Sequence, residues 1–248
     1  MNSALPPHHA LPTSRKGAPL TWTNNGLLKT LSAEDIDLVR PHLEPVALEQ
    51  EASLFESYEP IKHVYFFESG LSSEVVVASK SIEVGCIGND GCSGVPVLLG
   101  VDSSPHKAFM QAGGKALRIA SPDLVGLMDD SRTLRELLLR YAHVFMIQIA
   151  ATALADGRYG VEQRLARWLL MCQDRLGDEL PLTHDFLAVM LGVRRPSVTD
   201  ALHKLEGNLA IKAERALITV RDRRILEETA GDSYGIPEAE YRRLISHR

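Results

Sequence analysis

Cysteine is scarce: the three in 248 residues, Cys86, Cys92 and Cys172, are too few and too scattered for a disulfide framework or a four-ligand zinc site. Reduced thiols are expected. No apolar run reaches the roughly 18 to 20 residues that cross a bilayer. The opening MNSALPPHHALPTSRKG lacks the apolar stretch of a secretory signal. These absences predict a cytoplasmic protein with no membrane partner. Neither sign of charge dominates, and a formal charge of −5 excludes a uniformly polycationic surface. A phosphate loop, a nucleophile elbow, a zincin helix and any histidine–cysteine pair in catalytic context are all missing, so no enzyme is expected. Apolar residues at 45% and charged residues at 24% exclude wholesale disorder, a collagen repeat and a coiled-coil rod. The length suits one large domain or two modest ones with a real core.

The acidity is unevenly spread. From Arg158 to Arg224 there are 12 Lys and Arg against 9 Asp and Glu, while the rest of the chain holds 15 basic residues against 23 acidic ones. A mildly basic stretch on an acidic body is compatible with nucleic-acid binding.

Residues 1–19 carry four prolines and little periodic apolar content, and read as a mobile tail in which His8 and His9 are solvated. Leu31-Ser32-Ala33-Glu34-Asp35 reads as a helix start capped by Ser32, with a short helix to about His42. Between residues 45 and 120 come short β-branched and aromatic runs such as Val64-Tyr65-Phe66-Phe67 and Ile82-Glu83-Val84. Turns such as Gly88-Asn89-Asp90-Gly91 punctuate them, and together they predict a small antiparallel barrel or sandwich. From about Pro122 the spacing becomes helical. Leu134, Leu137, Leu138, Tyr141, Phe145, Ile149 and Thr152 predict one long helix over 131–157. One stripe of that helix belongs on the β module. Val144, Ile147 and Gln148 are expected on another side, as a dimer seam. Gly157 and Gly160 then suggest a hinge.

After the hinge, Leu165, Trp168, Leu169 and Cys172 share a helical face, and Arg164, Arg167 and Arg175 are expected to project away from it. The next stretch is the informative one. Thr183 can accept an amide hydrogen at a helix start, and Asp185 suits the positive end of its dipole. Two helices that cross closely need a small residue at the contact, a turn residue that tolerates positive φ and a branched apolar residue pointing back into the crossing. Ala188, Gly192 and Val198 supply these at the spacing of a helix-turn-helix, with Pro196 in the first turn of the second helix. The outward set is then Arg195, Ser197, Thr199, Asp200, His203 and Lys204. Arginine's planar fork matches guanine O6 and N7, so Arg195 is assigned to base readout, with Ser197 and Thr199 beside it. Thr183, Arg194, His203 and Lys204 are assigned to phosphate contacts. Residues 210–220 alternate like a hairpin with its turn near Glu214 to Ala216, a wing that brings Lys212 and Arg215 to the sugar-phosphate backbone. Asp222 to Ala230 reads as a closing helix, and 231–248 as a tail.

From about Leu31 to Tyr234 the chain resembles the Crp/Fnr superfamily of bacterial transcription regulators. The resemblance rests on Leu182-Thr183, Leu187-Ala188 to Gly192, Arg195 to Leu202, and Ile218 to Asp222 with Leu226. It implies an α+β fold with a cyclic-nucleotide-binding-like antiparallel β roll over 20–130. A dimerisation helix over 131–157 and a winged helix-turn-helix over 158–230 would follow. It also implies a homodimer on two-fold symmetric duplex DNA, RNA polymerase as a partner, and an arginine at position 195 that reads guanine.

The departures are informative. Where relatives of the Crp type follow the recognition arginine with glutamate and a later arginine, this chain has Pro196 and Asp200, so their half-site does not transfer. The places of the ribose and phosphate ligands hold Gly94-Val95 and His106-Lys107. These four residues are the candidate effector pocket. The ribose carboxylate is absent and histidine replaces the phosphate arginine, so cyclic AMP is not expected. An iron-sulfur cluster needs four thiolates, and none of the cysteines lies in the N-terminal tail. Cys86 and Cys92 read as small core residues rather than a redox pair, a haem through His63, His106 or Cys86 is not expected, and no cofactor is assigned. The alternative reading is a ligand-sensing or protein-interaction module whose helical hairpin docks on a protein.

Overall fold

Ser32 opens the first helix through its hydroxyl, which accepts the Asp35 amide at 3.1 Å. A computed structural model describes residues 22–78 and 81–246; the tail read over 1–19, with His8 and His9, lies outside them. Helix α1 (Ala33–Val39) ends in a 3-10 turn over Arg40–His42. Six strands follow: β1 (Glu44–Leu48), β2 (Ser53–Phe55), β3 (His63–Phe67), β4 (Leu71–Val76), β5 (Ile82–Ile87) and β6 (Cys92–Ser93). After the short helix α2 (Val95–Leu98) come β7 (His106–Ala112) and β8 (Gly114–Ala120). They form two antiparallel four-stranded sheets, ordered β1-β8-β3-β6 and β2-β7-β4-β5. The fold class is the α+β architecture that the resemblance implies.

Both faces of the second sheet are buried, which is why β4 reads as an almost unbroken buried run. Ile87, Ala108 and Met110 face the interior between the sheets, while Leu71, Cys86 and Ala112 face the C-terminal helices. Each side is the centre of one hydrophobic cluster.

Helices α3 (Ser121–Asp130) and α4 (Arg132–Arg158) leave the roll. Ser131 caps α4, and Ser131 and Thr133 donate to the Asp35 carboxylate at 2.5 and 2.7 Å, tying α4 to α1. Leu134, Leu137, Leu138, Tyr141 and Phe145 enter the roll core as their spacing requires. The Tyr141 hydroxyl accepts from the Cys92 amide at 3.1 Å and donates to the Cys92 carbonyl at 3.0 Å. Gly91 admits it, because a Cβ there would overlap the phenol.

Val144, Ile147 and Gln148, expected to form a dimer seam along α4, do not make an open face. Val144 and Gln148 are buried within this chain, Gln148 Oε1 accepting the Cys86 amide at 2.8 Å. The open apolar face instead carries Leu139, Met146 and Leu154, with His143 and Ala150 between them. Its spacing of four and three residues is that of a coiled-coil seam. By length and composition α4 also passes for a bilayer span, although charged residues interrupt its apolar stretches. The mean hydropathy of its most apolar 18 residues is 1.5, and 44% of that stretch is buried in the fold.

Helix α5 (Val161–Leu176) buries every residue from Leu165 to Cys172. Its arginines do not project away as expected. Arg167 is 4% exposed and donates to the Ser233 carbonyl at 3.0 Å and the Thr152 hydroxyl at 3.2 Å. Arg175 pairs with Asp90 at 2.7 Å, and Arg164 pairs with Asp156 at 2.5 Å. The chain continues through β9 (Glu179–Leu180), α6 (His184–Met190), α7 (Arg195–Gly207), the hairpin β10 (Ile211–Glu214) and β11 (Leu217–Val220), and α8 (Arg223–Ala230). A three-stranded sheet of order β10-β11-β9 closes this unit.

Residues 231–246 are not the structureless tail expected. A 3-10 turn, α9 (Ile236–Tyr241) and a π turn over Arg242–Ser246 return to the roll. There Ile245 is fully buried in the roll core and the Tyr241 hydroxyl donates to the Asp90 carbonyl at 2.6 Å. This segment straps the C-terminal unit to the N-terminal one.

Candidate nucleic-acid interface

Thr183 caps α6, its Oγ1 accepting the Phe186 amide at 3.2 Å, and its own hydroxyl proton stays free to donate outward. Ala188 sits at the crossing of α6 and α7, and Val198 is fully buried against it. Gly192 has φ +62° in the turn, the left-handed conformation for which a glycine was expected there. Arg195 and Pro196 are the first two residues of α7, so the proline loses no hydrogen bond. Leu187, Leu202 and Leu205 are fully buried.

Around that frame the candidate residues divide. Arg194, Arg195 and His203 are exposed along α7, and Thr183 lies exposed at the start of α6. The Arg195 side chain, 63% exposed, reaches Asp185 at 3.3 Å. Thr199 is turned into the angle between the helices, not outward. Its hydroxyl donates to the Arg195 carbonyl at 3.2 Å and meets His184 Nδ1 at 3.1 Å. Ser197 is half-buried and, with Asp200 and Lys204, borders a cleft at the first turn of α5. Lys204 lies 3.4 Å from Glu162 across that cleft. In the wing, Lys212 is exposed but donates to Glu214 at 2.7 Å, a contact that holds the Glu214 carboxyl below its ordinary pKa. Arg215 is exposed at the hairpin turn, where Ala216 has φ +59°. The Ala213 amide donates to Glu206 at 3.0 Å and fixes the wing to α7.

Residues 163–229 match the family model described as a Crp-like helix-turn-helix domain. The chain has the Crp/Fnr fold. FixK2 from Bradyrhizobium japonicum superposes with a TM-score of 0.64 at 15% identity, over 76% of this chain and 98% of that one. The c-di-GMP responsive global regulator CLP of Xanthomonas campestris gives 0.62 at 15% identity, over 76% and 99%. A protein assigned to the crp/fnr family from Eubacterium rectale gives 0.62 at 17% identity, over 84% and 98%. No curated protein matches the chain. The Crp/Fnr resemblance read from the helix-turn-helix residues therefore holds for the fold, and the family model covers the residues that carried it.

The candidate effector residues lie apart, two at the start of α2 and two on β7. Gly94, with φ +92°, caps α2 against Val64 of β3, and Val95 is buried behind it. His106 and Lys107 begin β7 and pair with Val76 and Val75 at the end of β4, in the four-stranded sheet β2-β7-β4-β5. Lys107 extends over the Phe109 ring at 5.7 Å and borders a cleft against Phe186 and Val189 of α6. Two polar atoms of the roll, Glu74 Oε1 and Ser93 Oγ, are buried with no hydrogen-bond partner among the described residues. Burial pushes the Glu74 carboxyl up to about 8. Cys86 and Cys92 belong to different hydrophobic clusters, which leaves them as core residues, and burial pushes the Cys86 thiol up to about 12.

Sequence reasoning missed the joint between the two units. The Trp168 indole donates to Glu83 Oε1 at 2.7 Å, Ser73 Oγ donates to Glu83 Oε2 at 2.5 Å, and Gln111 completes the cluster. Its signal was present, since Glu83 interrupts the apolar run Ile82-Glu83-Val84 and Arg167 stands within a buried helix.

Proposed function

We propose that this chain is a homodimeric, sequence-specific DNA-binding transcription regulator of the Crp/Fnr type, acting in the cytoplasm and not as an enzyme. One observation carries the reading: α7 presents its first turn, Arg194 and Arg195, to the outside of a correctly built helix-turn-helix, with an exposed wing arginine beside it. An arginine at the N-terminal end of a recognition helix is placed to pair with guanine O6 and N7 in the major groove. Arg195 is the base reader in this proposal. Asp185 holds its side chain until DNA competes for it.

Thr183, Arg194 and His203 take phosphates, as do Arg215 and Lys212 of the wing. Lys204 takes a phosphate once DNA draws it from Glu162, and Ser197, first assigned to base readout, stays beside the cleft at the first turn of α5. Thr199 supports the Arg195 backbone and gives up the reading role first expected of it. The dimer forms along the Leu139, Met146 and Leu154 face of α4. RNA polymerase is the expected further partner, and the domain limits of 20–130, 131–157 and 158–230 describe the working parts. For an effector, Glu74 and Ser93 of the roll offer buried atoms without a partner among the described residues, and the lack of a phosphate-binding arginine disfavours cyclic AMP.

Selection of a randomised duplex pool by the reduced protein at two salt concentrations tests the proposal. A two-fold symmetric motif with guanine in each half-site is the expected result. Failure to enrich any motif, with or without added ligands, would leave the helical hairpin as a protein-docking element.

A further inference from the structure

A buried carboxyl group stands on the joint between the roll and the C-terminal unit. Glu83 of β5 is 4% exposed. Its Oε1 accepts the Trp168 indole N–H of α5 at 2.7 Å, and its Oε2 lies 2.5 Å from Ser73 Oγ of β4. Ser73 Oγ is also 2.8 Å from Gln111 Oε1 of β7, and the Gln111 amide nitrogen turns to Cys172 Sγ of α5 at 3.9 Å. A serine hydroxyl has one proton for these two acceptors. When Glu83 is ionised, Ser73 serves it, and the Gln111 oxygen has no other donor among the described residues. When Glu83 is a neutral acid, its own proton goes to Ser73 and the serine proton to Gln111. Each acceptor in the row is then met.

The surroundings do not hold the ionised form. Arg167 and Arg175 of α5 attract its charge, but Arg167 is committed to the Ser233 carbonyl and the Thr152 hydroxyl, and Arg175 to Asp90 and the Met171 carbonyl. Cys172 on α5 and Cys86 on β5 bring buried thiols. Strands β4 and β7 turn the uncharged Ser73 and Gln111 to Glu83, while Glu74 alternates to the opposite face of the sheet. Helix α4 meets β5 through Phe145 and Gln148, and α6 places Phe186 against the Trp168 ring. Burial accordingly pushes the Glu83 carboxyl up to about 7. Ile82 beside it packs on the helix-turn-helix turn, where a Cβ at Gly192 would lie 3.1 Å from its side chain. If α5 moves away, water reaches Glu83 and its carboxyl returns to about 4.3. Opening between those values releases a proton, so the closed joint is strongest below the lower value and loses this contribution as pH rises through the higher one. We propose that the Glu83 cluster is a proton-linked latch, holding the C-terminal unit on the roll while Glu83 carries its proton and loosening as the proton leaves. The latch does not depend on the DNA-binding reading.

Thiol labelling tests the latch. Cys86 and Cys172 belong to the hydrophobic cluster that the joint closes, whereas Cys92 belongs to the roll core. A buried thiol reacts only in an open state, so their labelling by dithiodipyridine separates opening of the joint from unfolding of the roll. Rates for each cysteine of the full chain are followed by peptide mapping from about pH 5 to 8. They are divided by those of Glu83→Gln at the same pH, which removes the rise in thiolate itself. The variant's amide keeps an acceptor for Trp168 and a donor for Ser73 but cannot ionise. For Cys86 and Cys172 the ratio is expected to climb on the order of tenfold per pH unit up to about pH 7 and to level off above it. Cys92 is expected to label far more slowly throughout. Should the variant fail to fold, rates of the urea-unfolded chain at each pH supply the divisor. A ratio for Cys86 and Cys172 that does not change with pH overturns the latch, and so does labelling of Cys92 as fast as the other two. A chain that shows the climbing ratio but binds no duplex overturns the DNA reading alone.

Discussion

Trp168 of α5 donates its indole N–H to Glu83 of β5 at 2.7 Å, and this bond crosses from the C-terminal unit to the roll. Glu83 is fully buried, and desolvation pushes its carboxyl up to about 7 despite the Ser73 and Trp168 hydrogen bonds and the nearby Arg167 and Arg175 charges. Trp168→Phe keeps the apolar contact and removes the donor. A loss of about 1–3 kcal/mol in urea unfolding followed by circular dichroism is expected.

Stability is expected to fall as pH rises from about 5 to 8. Glu74 and Glu83 are pushed up to about 8 and about 7. Their unfolded carboxyls titrate near 4.3. Between those values the native state holds more protons than the unfolded state, so unfolding free energy declines with pH. Glu74→Gln removes its part of the decline, because the amide cannot ionise. Urea midpoints at pH 5.5 and 8 check this, and an equal slope in native chain and variant would refute it.

Arg195→Ala should cost about 1–3 kcal/mol of discrimination against the wrong base in the half-site. Arg215→Ala should instead weaken all duplexes alike and reduce the salt slope by about one. Competition binding at several salt concentrations separates the two, and equal losses on cognate and random DNA for Arg195→Ala would refute base readout. Asp185→Ala frees Arg195 from its partner at 3.3 Å and should strengthen binding.

Met146, 49% exposed on the open face of α4, is the test of the dimer. Met146→Glu is expected to shift the chain to monomer in sedimentation, because two carboxylates would face each other across a symmetric seam. Fold and far-ultraviolet circular dichroism should be unchanged. A dimer of unaltered affinity would place the seam elsewhere.

Ile245 lies fully buried in the roll core although it is near the C-terminus. Ile245→Ala should destabilise the chain by about 2–4 kcal/mol, as deletion of buried methyl groups does in a core. Chemical denaturation measures it, and a loss below about 0.5 kcal/mol would mean that the strap is not anchored there.

Local signals were sufficient wherever one element carried its own instructions. Ser32, Ser131, Thr183 and Asp222 each cap the helix that follows, and a cap is a short-range hydrogen bond between neighbours in the chain. Ala188, Gly192 and Val198 spelled the helix-turn-helix because two adjacent helices impose fixed spacing on their crossing. The same reasoning placed Leu134, Leu137 and Tyr141 inward on α4.

What the sequence could not determine was which partner each second face would meet. Periodicity marked Val144 and Gln148 as a separate side of α4, yet only packing showed that β5 lies there and that Leu139, Met146 and Leu154 stay open. Arg164, Arg167 and Arg175 have the sequence of a solvated face, and become buried because Asp156, Thr152, Ser233 and Asp90 come to them from distant segments. Thr199 kept its place on α7, and only folding brought His184 of α6 to its hydroxyl. Capping and helical spacing act between neighbours in the chain, whereas the burial of a charge depends on long-range contacts that exist only after the chain has folded.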